Sequence, residues 1–365
     1  MTLRLWVRFV AVKLVVAVLC LVAACGSPHG TTGDGGGGDD GTTDAPTMTS
    51  DANVHGTNAI SIIVEPDGNH AMQLISAINA ATISINVTMY EMSNTSIINA
   101  LKARALAHVP VKVILDGSST NKSFNTSAHD TLAAAGAQVV WSNPSFTYTH
   151  EKCIIIDAKQ AWIMTMNATG TAPDENREYL ATDTDPADIT EAQAVFDADF
   201  AMHQITPSGA LVVANSNARP DLVALINAST KTLDIEGEEF SDLNTGGIVD
   251  STVVAVHRGV TVRVIIGNSS PDSTSIARVK QAGGKVVVTG PTSGNGTMAN
   301  PYIHAKAIVI DCMGTSCARG FVGSENFSAG SLGYNRELGV IFSTASELAK
   351  VKAAIDTDFA AGVAQ

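Results

Sequence analysis

At 365 residues the chain is long enough for one large domain or two ordinary ones, and at 45% hydrophobic it can bury a sizeable core. Aromatics are only 5%, so Ile, Val, Leu and Ala must fill that core. A formal net charge of −13 argues against a general binder of polyanions, because nucleic-acid affinity rests on Lys and Arg neutralising phosphates; only a local basic cleft would restore it.

The chain opens with Arg4, Arg8 and Lys13 ahead of an apolar run, Leu14 to Ala24, that ends at Cys25. A basic start followed by a short apolar stretch reads as a secretory signal over residues 1–25, and the run is too short for a membrane span. Val22-Ala23-Ala24-Cys25 resembles a bacterial lipobox, a signal cut before a cysteine that then carries lipid. An ordinary secretory signal with an incidental cysteine is the plainer alternative. Gly26 follows Cys25 where an Asp would signal inner-membrane retention, so the expected address is the cell envelope, at the outer membrane. Residues 26–58 are rich in Gly, Thr, Asp and Ser and cannot bury a core. They read as a flexible tether reaching about 30 Å. Five acids lie in it (Asp34, Asp39, Asp40, Asp44 and Asp51), which leaves the body from residue 59 with 30 acids against 19 bases.

From residue 59 strands and helices alternate. Ile60 to Val64 is a β-branched run, Ala71 to Ala80 has helical periodicity, Ile83 to Met89 reads as a strand, Ser96 to Ala107 as a helix and Val111 to Leu115 as a strand. Such alternation predicts an α/β fold with a parallel or mixed sheet. The order then recurs. Thr82-Ile83-Ser84-Ile85 returns as Thr232-Leu233-Asp234-Ile235, 150 positions on, and the segment from His108 to Ile114 returns from His257 to Ile265. This is duplication of a whole domain, with repeats over 59–206 and 207–365 and a border near Pro207-Ser208-Gly209.

Chemistry-bearing residues repeat with the fold. The first half reads His150-Glu151-Lys152, four residues, Asp157, then Thr165, Asn167 and Asn176-Arg177-Glu178. The second reads His304-Ala305-Lys306, four residues, Asp311, then Gly323-Ser324-Glu325-Asn326 and Asn335-Arg336-Glu337. Each His-x-Lys opens an apolar strand, and residues two apart on a strand share a face. An ammonium beside an imidazole suits phosphate chemistry: one holds a non-bridging oxygen while the other works on phosphorus or the leaving oxygen. Thr165, Asn167, Ser324 and Asn326 would end a neighbouring strand and supply neutral donors to the same oxygens. Glu178 and Glu337 would each orient an imidazole through its second nitrogen.

This pattern resembles the phospholipase D superfamily, whose motif is His-x-Lys, four residues, Asp, then commonly Gly-Ser-x-Asn; the resemblance covers essentially all of residues 59–365. It implies two α/β/α sandwich repeats with mixed, largely parallel sheets related by a pseudo-two-fold axis. Both motifs would meet in one active site of a chain acting as a monomer, with no cofactor and no metal. One histidine would form a phosphohistidine and the other protonate the leaving alcohol. Carried over, the catalytic set is His150, Lys152, Asp157, His304, Lys306 and Asp311, with the two aspartates in a positioning role, since five steps from the Lys puts them off its strand face. The expected activity is hydrolysis of phospholipid head-group phosphodiesters, with transfer to other alcohols as a side activity. A nuclease of the same superfamily, a cardiolipin-type synthase and an inactive binding protein are the alternatives. Nucleic acid is disfavoured as a partner by the absence of basic clusters with interleaved aromatics, and no further 18-residue apolar run supports a membrane-embedded synthase.

Two departures stand out. Met164-Thr165-Met166-Asn167 replaces Gly-Ser-x-Asn in the first half, so Met164 is expected to reshape the pocket. The second half carries a longer connection after Asp311, holding Cys312 and Cys317, which either bridge the turn or stay as thiols. No second Cys or His pair completes a metal site. Cys153 is expected to be a buried, inert thiol. Arg177 and Arg336 would reach phosphate or stand as exposed strand charges. Glu236, Glu238 and Glu239 would rim the cleft for a cationic head group or form a solvated strand end.

Overall fold

A computed structural model describes residues 59–207, 209–268 and 271–365. The expected signal, lipidated Cys25 and tether lie outside the described residues.

Two mixed sheets divide the strands. The first holds β1 (Ile60–Glu65), β2 (Ile85–Met89), β3 (Val111–Leu115), β4 (Gln138–Trp141), β5 (Lys152–Ile156), β6 (Gln160–Met164) and β7 (Asn176–Asp183), in the order β1-β7-β6-β5-β2-β3-β4. The second begins with β8 (Leu211–Val213), β9 (Thr232–Gly237), β10 (Thr261–Gly267) and β11 (Lys285–Thr289). A two-residue strand, β12 (Tyr302–Ile303), pairs with β7 of the first sheet. The second sheet then resumes with β13 (Lys306–Ile310), β14 (Arg319–Gly323), β15 (Leu338–Phe342) and β16 (Val363–Ala364), in the order β16-β11-β10-β9-β13-β14-β15-β8. Each sheet is parallel in part, over β2-β3-β4 and β9-β10-β11, where helical crossovers join the strands. Apart from the parallel β12–β7 pair the remaining pairs are antiparallel, among them β5–β6, β6–β7, β13–β14 and β14–β15 between consecutive strands. The β5–β6 turn, for example, spans the three residues 157–159 and places Asp157 and Ala158 at positive φ.

Strand alternation sorts side chains into three apolar layers. Ile154 and Ile156 point to an outer core covered by α1 (Met72–Ala80), α2 (Thr95–Leu106) and α3 (Lys122–Ala134). Cys153 and Ile155, of opposite parity, enter a central core that both sheets share. In the second half Ile308 and Ile310 face α6 (Ala218–Asn227), α7 (Ile248–His257) and α8 (Ser273–Ala282), while Ala307 and Val309 enter the central core. Beyond the short α4 (Ala172–Glu175), α5 (Pro186–Phe200) lies in that central layer, and after α9 (Ala329–Tyr334) so does α10 (Ala345–Ala361). Helix starts follow the sequence chemistry. Asn94 accepts from the Ser96 and Ile97 amides, and Asp185 accepts from Ala187 with Pro186 in the first turn.

The repeat register differs from the 150-residue offset. Asp157 N–H donates to Ser84 O, and Asp311 N–H to Thr232 O, so Ser84 matches Thr232 and the strand offset is 148. A two-residue slip leaves strand alternation unchanged, which is why the apolar pattern could not expose it.

Candidate active site

Four strand ends assemble the site. Lys152 and Lys306 open β5 and β13, with His150 and His304 two residues earlier, and each ammonium folds back on its own histidine's carbonyl at 2.5 and 2.6 Å. The two halves are stitched where these loops arrive. His150 N–H donates to Arg336 O and Arg336 N–H to Tyr148 O, while Tyr302 and Ile303 pair in parallel with Asn176 and Arg177. Each histidine therefore lies beside the glutamate of the opposite repeat. His150 Nδ1 is 2.7 Å from Glu337 Oε2, and His304 Nδ1 is 2.8 Å from Glu178 Oε1. Both carboxylates are fully buried and held from behind: Ser331 Oγ and Asn335 Nδ2 donate to Glu337 Oε1, Thr165 Oγ1 to Glu178 Oε2 and Asn176 Nδ2 to Glu178 Oε1. A cleft of about 270 Å³ contains residues of both halves, among them Tyr90, His150, Glu239, Asn326 and Tyr334.

Burial draws the His150 imidazolium down to about 4; Glu337 opposes the shift and Lys152 adds to it. His150 is therefore neutral at pH 7, and an Nδ1–H donated to Glu337 leaves the Nε2 lone pair free. Burial also lowers Lys152 to about 7, against the pull of Glu337. For Glu337 burial works upward, but the hydrogen bonds from His150 and Asn335 and the nearby Lys152 outweigh it and hold the carboxyl below its ordinary range. Glu178 behaves in the same way towards His304.

Asn167 and Asn326 reach the site, each with its carbonyl oxygen buried and without a partner. Thr165 and Ser324, expected to contact phosphate, do not face it. Both are fully buried, Thr165 supporting Glu178, and their hydroxyls accept the Tyr179 and Leu338 amides at the matching points of the two repeats. Asp157 and Asp311 belong to the opposite ends of β5 and β13, about 16 Å from the lysines at ~3.3 Å per residue. Asp157 gathers the amides of Thr82, Ile83 and Ser84, and Asp311 those of Thr230, Lys231 and Thr232, so they pin the entry to β2 and β9 and touch no reacting group.

Several expectations need correction. Arg177 and Arg336 are buried and ion-paired across the repeats, with Asp358 at 2.6 Å and Asp199 at 2.8 Å; neither is exposed or turned to the cleft. Met164 is packed in the outer core and does not reshape the pocket. Of the two readings for Cys312 and Cys317 the bridge holds: they form a disulfide in the β13–β14 turn, at the strand end away from the site. The acidic trio is no solvated strand end. Glu236 is fully buried and accepts the Tyr179 hydroxyl, Glu238 bonds Lys306 at 3.0 Å, and Glu239 lines the cleft. The trio has matching positions in the first half: Met89 lies opposite Lys152 and Gly237 opposite Lys306, so Tyr90 matches Glu238 and Glu91 matches Glu239. Sequence reasoning missed Tyr90, Glu91, Tyr302 and Ser331; the corrected register would have found the first two. Among the described residues no group of three or more His, Cys, Asp or Glu stands where it could hold a metal ion.

A sequence profile of the family described as "Cardiolipin synthase, PLD-like domain" matches residues 74–200 and 222–360, one match in each half. The chain belongs to this phospholipase D-like family. No curated protein matches it. Among solved structures, polyphosphate kinase from Porphyromonas gingivalis superposes with a TM-score of 0.61 at 16% identity, over 81% of this chain and 46% of its own, so this chain spans less than half of that protein. Phosphatidylserine synthase from Haemophilus influenzae Rd KW20 gives a TM-score of 0.61 at 13% identity, over 86% of this chain and 88% of its own. Nuc, a phospholipase D family member from Salmonella typhimurium, covers 41% of this chain and 99% of its own at 22% identity and a TM-score of 0.37. At these identities the likeness is one of fold. The phospholipase D superfamily is one of enzymes, phosphodiesterases and transferases, and this chain carries its phosphodiesterase-like fold.

Proposed function

We propose that the chain hydrolyses phospholipid head-group phosphodiesters through a phosphohistidine. The observation that carries the reading is the crossed pairing, His150 with Glu337 and His304 with Glu178; His150 and Asn326 of opposite repeats line one cleft, and Glu238 links Asn326 to His304 and Lys306. His150 Nε2 attacks phosphorus, the P–N bond forms, and the bond to the head-group oxygen breaks. His304 gives its Nε2 proton to that oxygen, so the alcohol leaves neutral. Water then attacks phosphorus and returns a proton to His304 as the P–N bond breaks, yielding phosphatidate and free His150. Lys152, Lys306 and Asn167 hold the non-bridging oxygens, whose charge is unchanged until the transition state redistributes it. The neutral state of His150 supports its role as nucleophile, and a carboxylate 3.6 Å from His304 Nε2 supports a proton on that nitrogen.

An alcohol in place of water would give transfer, and the description of the matched family favours such a transferase as the second reading. Lipid on Cys25, holding the body at an envelope membrane, belongs to the same proposal and would appear as a mass increase on the N-terminal peptide. The test uses the full chain in detergent with EDTA present, following head-group release from phosphatidylcholine beside cleavage of single- and double-stranded DNA. Lipid cleavage abolished in both His150→Ala and His304→Ala is expected. DNA cleavage without lipid cleavage would keep the mechanism and overturn the substrate.

A further inference from the structure

The two halves of the cleft are not chemically equal, and Glu238 is the reason. Its Oε2 lies 3.0 Å from Lys306 Nζ, 3.4 Å from Asn326 Nδ2 and 3.6 Å from His304 Nε2, while its Oε1 accepts the Tyr302 hydroxyl at 2.5 Å. At the matching point the first half has Tyr90, whose ring centroid is 4.5 Å from that of His150 and 4.9 Å from Lys152 Nζ. Among the described residues no carboxylate forms an ion pair with Lys152, whereas Lys306 already holds one. Glu238 is partly exposed, with 19% of its side chain accessible, so it can meet a ligand. Two further carboxylates flank it, Glu239 in the cleft wall and Glu91 at 3.5 Å from Asn167.

A phosphodiester brings one negative charge, which the Lys152 side can receive without displacing an acid. On the Lys306 side any group must sit against Glu238. There His304 delivers its proton, so the leaving alcohol is the part of the substrate that lies there. The Asn326 amide nitrogen is turned to Glu238, and its carbonyl oxygen is left buried and unpartnered, an acceptor facing no donor. An acceptor beside a carboxylate matches an ammonium that carries N–H groups.

We infer that Glu238 is a specificity residue for the alcohol side of the phosphodiester, admitting primary-ammonium alcohols of the ethanolamine class and disfavouring neutral and anionic ones. The inference rests on the phosphodiesterase reading and names its leaving group. By microscopic reversibility the same residue selects the acceptor in any transfer reaction, so an amino alcohol outcompetes glycerol there too.

The experiment uses the full chain in detergent and monomeric dihexanoyl phosphatidylethanolamine, phosphatidylcholine and phosphatidylglycerol. Wild type is expected to favour the ethanolamine lipid over the glycerol lipid by about 10–100-fold in kcat/KM, the scale of one partly screened charge contact. Glu238→Gln keeps an acceptor for Tyr302 and is expected to bring that ratio near unity. Glu238→Tyr, which copies the first half, should do the same. Equal rates of wild type on the two lipids would overturn the inference, as would an equal loss on all three in Glu238→Gln, which would mark Glu238 as mere support for Lys306. Calorimetric titration with glycerophosphoethanolamine and glycerophosphoglycerol decides the matter even if no lipid is cleaved. A preference that Glu238→Gln removes sustains the inference while the hydrolase reading falls, and equal affinities for wild type sink it.

Discussion

Glu337→Gln probes the crossed pairing most directly. Glu337 Oε1 receives two donors, Ser331 Oγ at 2.7 Å and Asn335 Nδ2 at 3.0 Å, so a glutamine must leave its carbonyl oxygen there and turn its NH2 to His150. The amide then donates where the carboxylate accepted. His150 answers by moving its proton to Nε2, which removes the lone pair that attacks phosphorus. Losing a charge-assisted hydrogen bond costs about 1.5–3 kcal/mol. Restoring the productive tautomer against an opposed N–H costs about 1–3 kcal/mol more, the penalty of an unmade buried bond. Together these correspond to a loss of about 10²–10⁴ in kcat. Turnover of a soluble diester such as bis-p-nitrophenyl phosphate reads the rate, and nitrogen-15 shifts of His150 read the tautomer without any substrate. A Glu337→Gln protein that keeps more than a tenth of wild-type kcat, or whose His150 keeps its proton on Nδ1, would refute the reasoning.

Other expectations concern stability. Glu325 is fully buried, burial pushes its carboxyl well above the usual range, and neither oxygen has a partner, whereas the first half has Met166 at that point. Glu325→Met should therefore stabilise the fold by about 1–3 kcal/mol in urea unfolding, and destabilisation would contradict it. Arg336→Met leaves Asp199 buried and alone and should cost about 3–5 kcal/mol; a change below about 1 kcal/mol would show that the pair is not buried in solution. Burial raises Glu151 to about 8 from an ordinary 4.5, with Asp199 adding to the shift. The folded state thus holds a proton the unfolded chain releases, so this contribution is complete below pH 4.5 and is lost as pH rises to about 8, at up to about 1.4 kcal/mol per pH unit. Glu151→Gln should flatten that slope, and an unchanged pH profile would exclude the group as its source. Asp157→Ala should lower stability by about 1–2 kcal/mol through the orphaned Thr82–Ser84 amides yet leave kcat within about threefold; a large loss of kcat would return the residue to the chemistry.

The amino-acid order alone carries the α/β class and the doubled His-x-Lys series, because strand and helix periodicity and motif spacing are local properties of the chain. It also placed Val111 to Leu115 as a strand at the observed limits. Its repeat alignment slipped by two residues because a strand's period of two hides that error, and with it went the pairing of Tyr90 with Glu238. Folding sets Glu337 beside His150 and Glu178 beside His304, since the partners are 187 and 126 residues apart and join through strand pairing between the halves. It likewise decided that Arg336 and Arg177 are buried ties and that Thr165 stands behind Glu178. A polar residue's type shows what bonds it can make. Which partner receives them, and whether water or protein surrounds the pair, depends on chain segments that meet only after folding.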